Sequence, residues 1–141
     1  MSTRSFIGIK NGKEFKTIYC HYDGYPKCNG AILLKHYNSL ERVEALLSLG
    51  YISSLNKNLL PDPTKPHTFS SKQKDVVVAY HRDRGDAFTP PKNSRFATLE
   101  KEDWNYIFST TTNTWFVKSY SGKWQRLDKV IAKLDPETLF A

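Results

Sequence analysis

No apolar run in this chain approaches the roughly 18 to 20 residues that a membrane-spanning helix needs, so no span is predicted. Cysteine occurs twice, at Cys20 and Cys28, too few for a disulfide framework. A bridge across the seven intervening residues is sterically allowed, yet both thiols are expected to be free in a reducing compartment. There is no block of like charge, no internal repeat and no low-complexity tract, which argues against polyelectrolyte tails, solenoids and disordered linkers. No charged-then-apolar leader is visible, because Met1 to Ser5 run straight into a strand pattern. A cytoplasmic location is therefore expected, with no membrane partner.

What is present fits a single domain over residues 1–141. Apolar residues make up 39% and aromatic residues 13%, enough for a real core. The net charge is +7, from 21 Lys and Arg against 14 Asp and Glu, spread along the chain. That excess favours acidic partners through long-range steering but does not by itself indicate nucleic acid.

The pattern reads as an α+β fold with a small, mainly antiparallel sheet. Residues 4–10 and 14–21 form an N-terminal hairpin around Asn11-Gly12. By the strand period of two, Phe15, Thr17, Tyr19 and His21 share one face, and Lys16, Ile18 and Cys20 the other. Two central helices follow. The first covers 30–37. The second has Asn38 as its cap, a stripe of Leu40, Val43, Leu46 and Leu47, and Gly50 as terminator. Residues 56–75, with Pro61, Pro63 and Pro66, read as a long loop. Val76 to Tyr80 reads as a central strand buried on both faces, and 87–97 as another loop. A β-meander from Trp104 and a closing helix through Leu127, Val130, Ile131 and Leu134, ending near Pro136, complete the fold.

Two polar clusters stand out. Cys20-His21-Tyr22-Asp23-Gly24-Tyr25-Pro26 brings a thiol, an imidazole, two phenols and a carboxylate to a strand end. Its phenols can stack on a planar ligand, although Asp-Gly and Tyr-Pro are also ordinary turn chemistry. His81-Arg82-Asp83-Arg84-Gly85-Asp86 follows the second strand-like run. Its arginines can clamp a phosphate or carboxylate, and its aspartates can orient them. The competing reading is a self-neutralising surface turn. The expectation is that both clusters wall one concavity.

Other chemistry fits poorly. Cys20, His21, Cys28 and His36 lack the close ligand pairs of structural zinc, so no metal is expected. Cys20 and His21 are strand neighbours on opposite faces, which argues against a thiol–imidazole pair. His81-Arg82-Asp83 matches a kinase catalytic-loop triplet but lacks the downstream Asn and Asp-Phe-Gly. Arg84-Gly85-Asp86 spells an adhesion tripeptide that a cytoplasmic chain would not use. The aromatic cluster of Trp104, Trp115, Trp124, Tyr106, Phe108, Phe116 and Tyr120 reads as core rather than as a platform for stacked bases.

Arg4-Ser5-x-Ile7-Gly8 and Ile18-Tyr19-Cys20-His21-x-Asp23-Gly24-Tyr25-Pro26 resemble small hypothetical proteins of bacteriophages and prophages. The likeness continues through Asn29-Gly30, Leu33-Leu34, Tyr37, Val43, Leu49-Gly50 and Ile52-Ser53-Ser54-Leu55. It resumes at Ala79-Tyr80-x-Arg82-Asp83-Arg84-Gly85 and in the Trp-bearing strands. Tyr22 stands where such proteins often carry Trp. The resemblance implies a phage accessory protein, with counter-defence as the expected role. It would act by binding a nucleotide-like anion or a host defence protein, without a cofactor. The expected ligand-binding residues are Arg4, His21, Tyr22, Asp23, Tyr25, His81, Arg82, Asp83 and Arg84, and no catalytic residue is assigned. The alternatives are an enzyme acting on phosphodiesters or nucleotides, with His21 or His81 as acid or base, and a nucleic-acid-binding protein. Oligomeric state is left open, a homo-oligomer included.

Overall fold

The computed structural model describes residues 3–95 and 102–134. The N-terminal hairpin pairs β1 (Ser5–Asn11) with β2 (Glu14–Cys20). Asn11 pairs directly with Glu14, so the two-residue loop is Gly12-Lys13 rather than Asn11-Gly12. Positive φ falls on Gly12 (+66°) and not on Asn11, which suits a turn with glycine first.

Pro26–Gly30 forms a single widened π turn that leads into α1 (Ala31–His36). Helix α2 (Leu40–Leu47) is capped by Ser39, not Asn38, since the Ser39 hydroxyl accepts the Arg42 amide at 3.3 Å. Strand β3 (Ile52–Ser54) follows, then β4 (Val78–Ala79), α3 (Tyr80–Arg84) and β5 (Lys92–Arg95). The meander comprises β6 (Trp104–Ser109), β7 (Thr114–Ser119) and β8 (Gln125–Arg126), and α4 (Leu127–Leu134) closes the described chain. The expected helix end near Pro136 lies outside the described residues.

The eight strands form one mixed, mostly antiparallel sheet in the order β4-β3-β2-β1-β6-β7-β8, with β5 also on β2. The fold is α+β. Two contacts are parallel, β1 with β6 and β2 with β3. The outer edge of β2 is shared: Glu14–Thr17 pair with β5, and Cys20 pairs with β3. The run at Val76–Tyr80 differs from its expectation. It is a two-residue strand at the end of the sheet order, paired only with β3, and Val77 and Ala79 are buried in the main core.

Alternation decides which face meets the helices. Ile7 and Ile9, Ile18 and Cys20, Tyr106 and Phe108, and Trp115 and Val117 are successive same-face pairs of four neighbouring strands, and all belong to the buried core. Leu33 of α1 and Tyr37 just past its end, Leu46 and Leu47 of α2, and Leu127 and Ile131 of α4 pack into the same cluster. Each such fully buried aliphatic side chain contributes about 1.5–3 kcal/mol of apolar transfer. The Trp115 indole donates to the Tyr37 carbonyl at 2.7 Å and satisfies its one polar atom inside the core. Among the described residues no helix is long and apolar enough to cross a membrane. The opposite face carries Phe6, Thr17 and Tyr19.

Candidate ligand-binding cleft

Cys20 of β2 lies level with Ile52 of β3, and Ile52 lies level with Ala79 of β4. Because β3 runs parallel to β2 and β4 antiparallel to β3, the chain leaves Cys20 and Ala79 in opposite directions. His21 and Tyr22 continue along β3, their amides donating to the Ile52 and Ser53 carbonyls at 3.2 and 3.0 Å. Tyr80 heads back the other way and meets Tyr19.

A cleft of about 600 Å³ opens at that meeting, lined chiefly by Phe6, Tyr19, Tyr51, Tyr80, Arg84 and Asp86. Glu102, Ala87 and Thr89 complete its wall. One side is a row of rings. Phe6 meets Tyr19 edge-on at 6.2 Å, and Tyr19 meets Tyr51 at 5.8 Å. The other side is Tyr80, whose ring lies 5.5 Å from Phe69. The Arg84 guanidinium sits 5.0 Å from the Tyr80 centroid and 4.6 Å from that of Phe69.

Arg84 is also paired with Asp86, Nε to Oδ1 at 2.8 Å and Nη2 to Oδ2 at 2.7 Å. Gly85, at φ +81°, ends α3 in the left-handed region, and the Asp86 amide returns to the Tyr80 carbonyl at 3.2 Å. That reversal brings the carboxylate alongside the guanidinium. The Arg84 hydrogen bonds hold the Asp86 carboxyl below its ordinary range. Burial pushes the Tyr80 phenol up, against the opposing effects of a hydrogen bond from Ser53 and the Arg84 charge. Burial likewise raises Tyr19, and the nearby Arg4 charge opposes it.

The expected site residues divide. Arg84 lines the cleft, and His21 borders it through a 2.7 Å hydrogen bond between its Nδ1 and the Tyr19 hydroxyl. Tyr22 packs edge-on against His21 at 4.5 Å and is 45% exposed. Arg4 contributes its charge near Tyr19, while its amide is tied to Asp103 at 3.1 Å. His81 is directed to the Asp86 carbonyl at 2.7 Å and the Phe88 ring.

Arg82 and Asp83 have other partners. Arg82 donates to the Leu59 and Val77 carbonyls at 2.6 and 2.7 Å and to both Asp83 oxygens. Asp83, 3% exposed, accepts the Ala79 amide at 2.7 Å. His67 completes the knot: the Gln73 amide donates to its Nδ1 at 3.0 Å, so Nε2 carries the proton and meets the Val77 carbonyl at 3.0 Å. These groups anchor the long loop and do not face the cleft.

Asp23 and Tyr25 belong to the turn at the end of β2. Asp23 takes positive φ (+58°), and the Tyr106 hydroxyl donates to the Gly24 carbonyl at 2.6 Å. Asn29, buried beneath, donates to the Tyr22 carbonyl at 3.0 Å and to Cys20 Sγ at 3.4 Å. The Tyr25 phenol is raised by its hydrogen bond with Cys28. Cys20 is fully buried, and desolvation pushes its thiol up to about 12, so it stays protonated and is no nucleophile. Among the described residues no group of three His, Cys, Asp or Glu could hold a metal ion.

Phe6, Tyr19, Tyr51 and Tyr80 are cleft residues outside both polar clusters of the sequence, whereas Asp86 belongs to the second cluster and lines the cleft beside Arg84. Tyr19 was detectable, sharing a strand face with His21. Tyr51 and Phe69 carry no local signal, because only the pairing of β3 with β4 and the folding of the loop bring them in. A smaller pocket of about 180 Å³ at the hairpin end has mainly apolar walls, including Phe15, Ile107, Phe116 and Trp124, with Lys10 at one side. Compared with known protein families, curated proteins and solved structures, the chain matches none.

Proposed function

We propose that this protein binds a nucleotide-like ligand in the tyrosine-lined cleft, as a non-catalytic accessory protein. The observation that carries the reading is one cleft uniting three phenol rings with a ring-stacked arginine. Rings accept a planar base by stacking, and a guanidinium accepts an anionic group bidentately. In a phage-encoded protein, such binding would serve counter-defence by sequestering a nucleotide signal.

Catalysis on phosphodiesters ranks lower. Cys20 is buried and protonated, His21 is held by Tyr19, and Asp83 is committed to the loop anchor. Nucleic-acid binding ranks third, because the basic residues are scattered along the chain with no block of like charge to track a phosphate backbone. A protein partner is the second reading. Tyr22, Tyr25 and Phe88 are exposed large aromatics, a residue class enriched at interface hot spots.

Thermal-shift titration against nucleoside monophosphates, cyclic dinucleotides and the parent nucleosides tests the leading reading. A melting-temperature rise that Tyr80→Ala removes is the expected result. A flat response across the panel would overturn the nucleotide reading and leave the protein partner.

A further inference from the structure

We infer that the Asp86 carboxylate is a built-in occupant of the anion site on Arg84, and that an incoming phosphate monoester displaces it. This inference rests on the nucleotide reading of the cleft and specifies how its anionic group is taken.

Three observations support it. Asp86 meets the Nε–Nη2 edge of Arg84 at 2.8 and 2.7 Å, the two-point geometry a phosphate would use. The pair is open to water, its side chains 49% and 36% exposed, so it is weakly held and screened. The guanidinium does not depend on Asp86 for its position, because it rests against both Phe69 and Tyr80. A phosphate dianion carries more charge and an additional acceptor oxygen compared with the carboxylate it replaces. The Asp86 amide is held by the Tyr80 carbonyl and its own carbonyl by His81 Nδ1, so the carboxylate leaves by rotation of its exposed side chain, with α3 undisturbed. The displaced carboxylate then sits near the bound phosphate and repels it, so removing its charge should tighten phosphate binding and leave an uncharged nucleoside unaffected.

The experiment compares adenosine 5′-monophosphate with adenosine by calorimetry on wild type, Asp86→Asn, Arg84→Gln and the double variant. Asp86→Asn is expected to bind the monophosphate about three- to tenfold more tightly, with adenosine unchanged. Arg84→Gln should weaken the monophosphate, and in the double variant the gain from Asp86→Asn should disappear. If Asp86→Asn binds the monophosphate no better than wild type, or the gain survives without Arg84, the displacement idea is overturned while the cleft reading stands. If neither compound binds any variant, both ideas fall together. Unchanged melting curves in the absence of ligand confirm that the variants are folded.

Discussion

Cys20 and Cys28 lie eight positions apart and behave as different reagents. Both are free, but Cys20 is sealed under Asn29 whereas Cys28 is half-buried next to Tyr25. Iodoacetamide at pH 8 is expected to label Cys28 alone in the native protein and both thiols in urea, read by mass spectrometry. Equal labelling of Cys20 would contradict its burial. Asp83 likewise differs from what its sequence neighbours suggest. It was read as a ligand group, yet it neutralises Arg82 in a buried pair and accepts a backbone amide. Asp83→Ala should cost about 3–5 kcal/mol in urea denaturation, because it strands a half-buried guanidinium. Loss of ligand binding without loss of stability would instead favour the original reading. Nothing in the string His-Arg-Asp-Arg-Gly-Asp distinguishes Arg82 from Arg84. A helical turn directs one toward the loop and the other toward the cleft.

Among the elements, those with local periodicity were the most legible. The hairpin, both central helices and the meander follow from alternation and helical stripes in the sequence. Within these elements the errors are local, such as the cap at Ser39 in place of Asn38 and the turn at Gly12-Lys13, whereas α3 and the strand β5 inside the expected 87–97 loop have no such periodic signal. Ser39→Ala should lower stability by about 1 kcal/mol in a chemical melt, the ordinary value of a lost cap, and Asn38→Ala by much less. The long loop is the element that sequence described least well. Proline and polar residues mark a long loop but give no sign that His67, Gln73 and Arg82 tie it down. The Gln73 amide group donates to the Asp62, Lys65 and Pro66 carbonyls at 2.9, 3.1 and 3.3 Å. Trypsin should therefore cut slowly at Lys72 and Lys74 in the wild type. In His67→Ala, cleavage at these sites should speed up severalfold on a gel time course, well before global unfolding.

For the whole molecule, the buried phenols and thiol set the response to alkali. Burial raises Cys20 from 9.0 to about 12 and Tyr37 from 10.0 to about 12, and it raises Tyr106 further still. Each group holds its proton longer in the folded state. Its stabilising contribution is complete below the unfolded value and is lost as pH rises toward the folded one. Stability should hold to about pH 9 and fall steeply between pH 9 and 12, with Tyr37 and Tyr106 ionising only as the chain unfolds. Absorbance at 295 nm followed beside circular dichroism checks this. Full phenolate formation at native ellipticity would refute it. By itself, the sequence determined the α+β class, the hairpin, the two central helices and the closing helix, because period and turn chemistry act over neighbouring residues. Tertiary structure alone decided that Val76–Tyr80 ends the sheet order, that Tyr51 and Tyr80 face Tyr19, and that Arg84 rather than Arg82 reaches the cleft. Those outcomes depend on strand order and direction, which arise from contacts between residues dozens of positions apart.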